Sequence, residues 1–218
     1  MNVNIKNVLA PLLTLALVFS IVPPQEFAHA NAIKDKDSCI SPAMVQLKVD
    51  MQKAWIDHTI WTRSYIVSAI SNRQDQQDVL NRLLQNQQDI GNLFKPYYGE
   101  AAGNKLAELL KAHILIAGKI VEAAKSNKQA DVKKLQADWH RNADEIAKLL
   151  STLNPNWTFK EMQQMLYEHL QLITEIVLSC LRGDWKADIA ATDKNEIHMI
   201  HFADMLTEGI IKQFPEKF

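Results

Sequence analysis

The sequence predicts an all-α protein, an up-down antiparallel helical bundle of about six helices arranged as three helical hairpins. Three observations carry that expectation. Apolar residues recur at helical spacing in six successive stretches, so each stretch turns one face toward a core. The 218 residues include only six Gly and seven Pro, too few to punctuate many short strands and tight hairpins. The breaks between stretches are short, which sets consecutive helices antiparallel. With 47% hydrophobic and 22% charged residues, the chain has the balance of an ordinary globular protein, and one compact domain is the expectation.

Residues 1–30 read as a secretory signal peptide. Lys6 precedes the apolar run Val8 to Val22, and Pro23-Pro24 lead to Ala28-His29-Ala30, the small-x-small pattern that signal peptidase accepts. The run is about fifteen residues long and contains Pro11, short of the ~20 that span a bilayer. Ala30-Asn31-Ala32 repeats the pattern, so the mature chain is expected to begin at Asn31 or Ile33, with no transmembrane segment after cleavage. Cys39 lies well downstream of the run behind Lys34-Asp35-Lys36-Asp37, which argues against a lipid anchor. The expected location is secreted or cell-envelope associated. Residues 31–41 are expected as an exposed N-terminal segment ahead of a helical bundle domain over 42–218.

The helices follow in order. Ser41-Pro42 supplies an N-cap and an N1 proline for helix 1, whose apolar positions run through Leu47, Met51, Ala54, Trp55, Trp61, Tyr65 and Ala69. Helix 2 carries Leu80, Leu83, Leu84, Ile90 and Phe94, and Lys95-Pro96-Tyr97-Tyr98-Gly99 is expected to stop it, because proline cannot continue the hydrogen-bond ladder. Helix 3 carries Leu106, Leu110, Ala117, Ile120 and Ala124. After Ser126-Asn127-Lys128, helix 4 resumes the pattern with Val132, Leu135, Trp139, Ile146, Leu149 and Leu153, and Asn154-Pro155-Asn156-Trp157 ends it. Thr158 and Glu161 form a capping box for helix 5, whose stripe is Met162, Leu166, Ile173, Ile176, Val177 and Cys180. Gly183-Asp184 closes it, and helix 6 is expected from about Asp188 to Lys212. In that order Cys39 and Cys180 fall at opposite ends of the bundle, ~35 Å apart for helices of about twenty-five residues. A disulfide needs Cα atoms within ~7 Å, so the two are expected not to pair.

The hairpins share a faint outline. Ile66-Val67, Ile120-Val121 and Ile176-Val177 follow His58, His113 and His169 by seven or eight residues, and Asn86-x-x-Asp89, Asn142-x-x-Glu145 and His198-x-x-His201 occupy corresponding places in the second helices. The stretches Lys95-Pro96-Tyr97-Tyr98-Gly99, Asn142-Ala143-Asp144-Glu145-Ile146-Ala147, Asn154-Pro155-Asn156-Trp157 and Gln213-Phe214-Pro215-Glu216-Lys217-Phe218 resemble those of an uncharacterised family of exported all-helical proteins of Gram-positive bacilli. The resemblance covers most of the mature chain and implies export and a helical fold. It carries over no catalytic residue.

One constellation points to chemistry. His58, His113 and His169 project near the middle of the apolar stripes of helices 1, 3 and 5, where aliphatic side chains are the norm. Each lies about fourteen or fifteen residues before a turn, which at 1.5 Å per residue is roughly 21 Å, so the three share one height. Gln87, Asn142 and His198 come the same distance after those turns, with Asp89 and Glu145 within a turn of the layer. Convergent imidazole, carboxylate and amide groups inside a bundle are how di-metal helical proteins hold their ions, and imidazole suits Zn, Fe or Cu. The candidate metal set is therefore His58, His113, His169, Asn142, Glu145 and His198. The competing reading is a buried hydrogen-bonded network, with Gln87, Asn142 and Tyr65 as partners. No Glu-x-x-His pair of the ferritin-like kind sits in the layer.

His201 and His140 project away from the core and are expected to be exposed. Met44, Met51, Met162, Met165, Met199 and Met205 offer soft copper ligands but read better as core filler. Trp55, Trp61, Trp139, Trp157 and Trp185 read as core or capping aromatics rather than a ligand pocket. Gly-rich phosphate loops, Gly-x-Ser-x-Gly, His-Glu-x-x-His and Cys-x-x-Cys do not occur in the sequence. A net charge of -1 with interspersed signs gives no footprint for nucleic acid or an anionic membrane. The expected function is binding, of a metal or small ligand at the layer or of an envelope partner. A structural or interaction bundle without a site, and a metal-dependent enzyme with Glu145 or Asp89 as general base, are the alternatives.

Overall fold

A computed structural model describes residues 40–218, all helix and short connections, with no strand among the described residues. The expected signal peptide and cleavage sites, Cys39 and most of the expected exposed segment lie outside the described residues. Helix α1 spans Pro42–Ile70, opened by Ser41, whose hydroxyl accepts from the Met44 N–H at 3.1 Å, with Pro42 at N1. Helix α2 spans Gln76–Lys125, α3 spans Gln129–Leu153, α4 spans Phe159–Arg182 and α5 spans Trp185–Gln213, followed by a 3-10 turn at Pro215–Lys217. The Thr158/Glu161 capping box opens α4 as expected, and Gly183 closes it in the left-handed conformation at φ 69°. Asn72 and Asn127 end α1 and α2 with positive φ, which asparagine tolerates better than most residues.

Among the described residues five α-helices are counted where six were expected, because helical pairing runs up to Gly99 and resumes directly after it. Pro96 does not stop the helix. The change of direction is concentrated in Gly99, at φ 82° and ψ 167°, a conformation L side chains rarely adopt. On either side of it α2 forms two arms that lie against each other. Gln76 reaches Glu122, Lys111 donates to Gln88 at 2.8 Å, and a Cβ on Gly91 would stand 2.5 Å from the Gly103 carbonyl oxygen. The α5 start also differs, at Trp185 rather than near Asp188, because the Asp184 carboxylate caps the Ala187 N–H at 3.0 Å.

Each helix packs on its neighbours in sequence, α5 returns to α1, and α1 also meets α4. The shared interior holds Met51, Ile90, Phe94, Leu106, Ile146, Met162, Ile176, Met199 and Leu206, all at 1% exposure or less. Trp55, Trp139 and Trp157 are buried in it, whereas Trp185 is 51% exposed. Asp188 is fully buried, and Arg63 from α1 clamps both its oxygens, at 3.1 and 2.5 Å. No helix among the described residues is long and apolar enough to cross a membrane.

Candidate functional site

Midway along the helices the apolar interior gives way to a layer of imidazole and amide groups. His58 of α1, His113 of α2 and His169 of α4 are each buried to 3% exposure or less. Their rings meet: His58 and His169 face each other through Nε2 at 3.5 Å, and His113 stacks on His169 with ring centroids 6.2 Å apart. Trp55 stands edge-on to His58 at 5.5 Å and Trp139 lies over His113 at 5.1 Å, so indoles wall the layer on two sides.

Each Nδ1 is held by a side-chain amide from another helix segment. Gln87 Nε2 lies 3.3 Å from His58 Nδ1, Asn142 Oδ1 lies 2.7 Å from His113 Nδ1, and Asn195 Oδ1 lies 2.8 Å from His169 Nδ1. The surrounding bonds set the tautomer of His113. Asn142 Nδ2 donates to the Leu109 carbonyl, so its oxygen faces His113, which carries its proton on Nδ1. Gln87 Nε2 also meets the Leu83 carbonyl at 2.7 Å and Asn86 Oδ1 at 3.1 Å, and Asn86 is itself oriented by donating to the Ala54 carbonyl. Gln87 Nε2 has two hydrogens for three acceptors, so its link to His58 Nδ1 at 3.3 Å is a shared one, and where Gln87 donates there the His58 proton sits on Nε2. The consistent relay is Gln87 to His58, His58 Nε2–H to His169 Nε2, and His169 Nδ1–H to Asn195. At 3.5 Å its central link is longer than a good hydrogen bond.

That relay leaves atoms over. His113 Nε2, Gln87 Oε1 and Asn195 Nδ2 are buried without a partner. Burial, with repulsion from His113, lowers the His58 pKa to about 3. Burial lowers that of His113 to about 4, and burial followed by the neighbouring His58 lowers that of His169 well below its ordinary value. All three rings are neutral near pH 7. A cavity of about 60 Å³ lies alongside, lined by Tyr65, Ile66, Ile114, Trp139 and Ile173 among others, and none of the three histidines lines it.

Of the expected metal set, the structure brings together His58, His113, His169 and Asn142. His198 is buried but elsewhere engaged: its Nε2–H donates to the Met165 carbonyl at 2.8 Å, and Nδ1 stands 3.7 Å from Glu168. Glu145 points outward and is exposed, because its position in α3 falls three residues beyond Asn142 on the outer side of the buried stripe. Asp89 is turned to Arg82 at 3.6 Å. His201 is exposed as expected, but His140 is half-buried, bonded to the Gln136 carbonyl and edge-on to Tyr167 at 4.8 Å. Met51, Met162 and Met199 are core, as the sequence suggested. The member that sequence reasoning missed is Asn195. The histidine-to-amide spacing is 29 residues for His58–Gln87 and His113–Asn142 and 26 for His169–Asn195, so a tighter turn at Gly183 moves the partner from His198 to Asn195.

Among the described residues, no group of three or more His, Cys, Asp or Glu side chains stands ready-arranged to hold a metal ion. Comparison with family models, curated proteins and solved structures returns no match.

Proposed function

We propose that this is an exported helical-bundle binding protein that holds one transition-metal ion between the Nε2 atoms of His58, His113 and His169. The observation that carries the reading is the unpartnered, buried Nε2 of His113, whose ring stacks on His169 with centroids 6.2 Å apart, in the layer where His58 and His169 face each other through Nε2. Orphaned buried acceptors are rare and call for an ion or a ligand. Amides on the Nδ1 atoms supply the outer support that metal-bound imidazoles need, and they already leave Nε2 of His113 and His169 as lone pairs. Bonds of ~2.0 Å to each nitrogen span about 3.3–3.5 Å between nitrogens, which the His58–His169 spacing of 3.5 Å accommodates. Loading asks that His113 shift toward the pair and that His58 pass its proton from Nε2 to Nδ1, for which Gln87 turns its free Oε1 toward the ring and gives up its bonds to the Leu83 carbonyl and Asn86 Oδ1.

The three up-down hairpins belong to this proposal, with the two arms of α2 supplying one helix each to the first and second. Export rests on the signal-like residues 1–30, and a secreted or envelope location follows from it. Glu145, exposed and outside the layer, lends no support to a metal-dependent enzyme.

A second reading has its own observation. The relay from Gln87 through His58 and His169 to Asn195 is self-consistent without a metal, and favours a dry polar scaffold that sets helix register. Elemental analysis separates the two. After incubation with Zn²⁺, Ni²⁺ or copper and removal of excess, the full chain is expected to retain one equivalent of a transition metal. Retention is expected to be lost in His58→Ala and His113→Ala and kept in His140→Ala. A chain that retains none, or retains it equally in all three variants, leaves only the scaffold.

A further inference from the structure

We propose that the apolar cavity beside the layer is a second binding site, for a small uncharged molecule of about four carbons and one hydrogen-bond-accepting oxygen, the class of a short ketone or alcohol. The proposal does not depend on the metal.

Size and charge define the class. The cavity of about 60 Å³ lies between α1, both arms of α2, α3 and α4. One water needs ~10–15 Å³ and a cavity of ~150 Å³ takes a benzene ring, so the space suits a slender occupant of about five non-hydrogen atoms. Ile66, Leu83, Ile114, Val121, Ile173 and Val177 give it an aliphatic wall. Several waters against that wall would leave most of their hydrogen bonds unmade, which favours an apolar occupant. None of the described residues lining the cavity is charged, so a carboxylate or ammonium group would be buried there without compensation. The lining reaches the surface between α3 and α4, where Val132, Gln136 and Thr174 are half-buried and Leu178 is 45% exposed.

Two lining residues carry polar groups that the protein leaves unbonded, and these call for the oxygen. The helical threonines Thr59, Thr152, Thr174, Thr192 and Thr207 each donate to the carbonyl four residues back. Thr62 does not, and its buried hydroxyl has no partner. The Trp139 indole N–H is also buried without an acceptor, whereas that of Trp157 donates to the Met205 carbonyl at 3.2 Å. An indole N–H only donates and a threonine hydroxyl donates or accepts, so a neutral oxygen with lone pairs suits both. A short alkyl chain on that oxygen then packs against the aliphatic wall, the combination of many apolar and few polar contacts usual in small-molecule sites.

The test is a titration of the metal-free full chain, followed by the indole ¹H–¹⁵N signals of its tryptophans. Butanone is the probe, 2-methyl-1-butene is its shape match without the oxygen, and butyrate is the charged control. Butanone is expected to move the Trp139 signal downfield to saturation with a midpoint of about 1–10 mM. The alkene is expected to bind at least fivefold more weakly, and butyrate to give no saturable shift. Thr62→Val keeps the shape and removes the hydroxyl, and should weaken butanone at least threefold. Ala117→Leu fills the cavity and should abolish the shift while helical content by circular dichroism is unchanged. A Trp139 signal that does not saturate with butanone, or saturates equally in folded Ala117→Leu, overturns the site. An alkene or butyrate bound as tightly as the ketone, or butanone binding unchanged in Thr62→Val, overturns the ligand class, and these arms decide even where Ala117→Leu fails to fold.

Discussion

Asn142→Ala isolates one contact of the layer. The Asn142 side chain accepts from His113 Nδ1–H at 2.7 Å and donates to the Leu109 carbonyl at 3.2 Å, and the residue is 5% exposed. Truncation leaves the imidazole N–H buried without an acceptor, a loss of ~1–3 kcal/mol. The small void left beside Trp139 adds to it, for a total of ~2–4 kcal/mol. In a domain of this size 1 kcal/mol moves the melting temperature by ~2–4 °C, so a fall of roughly 5–15 °C is expected. Metal-free protein is unfolded by heat and by urea at pH 7, followed by circular dichroism, for wild type, Asn142→Ala, His113→Ala and the double variant. Once His113 is gone, the asparagine has lost its main partner, so the second truncation should cost ~1–2 kcal/mol less than in wild type. Strictly additive losses would refute the bond as the link between α2 and α3, and a single-variant loss under ~0.5 kcal/mol would refute the burial cost assigned to the layer.

Three further outcomes follow from the same coordinates. Because His58 and His113 titrate near 3 and 4 in the folded chain against 6.5 when unfolded, the unfolded state binds more protons between those limits. The stability of metal-free protein is then complete above pH 6.5 and lost as pH falls toward 3, and urea midpoints should show His113→Ala losing less than wild type, by up to ~1.4 kcal/mol per pH unit. Cys180 is 4% exposed, and burial, together with the neighbouring Asp188 carboxylate, pushes its thiol up to about 12, so at pH 8 iodoacetamide should modify it only after unfolding, as read by peptide mass mapping. Gly91→Ala would set a methyl 2.5 Å from the Gly103 carbonyl oxygen and 2.8 Å from the Ala107 Cβ, and prying the arms of α2 apart should destabilise by ~1–3 kcal/mol in the same urea assay.

The helical class was legible because the apolar period and the local caps agree: Ser41-Pro42 and Thr158/Glu161 open α1 and α4 where the spacing places them. The α2 break was legible only in part. Pro96 and Gly99 signal an interruption, but whether a proline ends a helix or rides in its last turn depends on what packs around it, here the close approach of Gly91 and Gly103. The three histidines were found because polar residues in the centre of an apolar stripe violate the pattern and share a height. Asn195 was missed because equal counting from the turns assumes equal turns. Glu145 was misplaced because a carboxylate three residues from a layer residue can leave the stripe as readily as join it, and helix rotation decides which.

Long-range ¹H–¹⁵N spectra of the histidine rings test the central claim most directly. In metal-free protein at pH 7, His113 and His169 are expected as Nδ1–H tautomers and His58 as Nε2–H. On addition of one equivalent of Zn²⁺, the Nε2 resonances of all three should shift together, with His58 converting to Nδ1–H and His140 and His201 unmoved. Three unshifted rings in the presence of the ion, or shifts confined to the exposed histidines, would contradict a metal site in this layer.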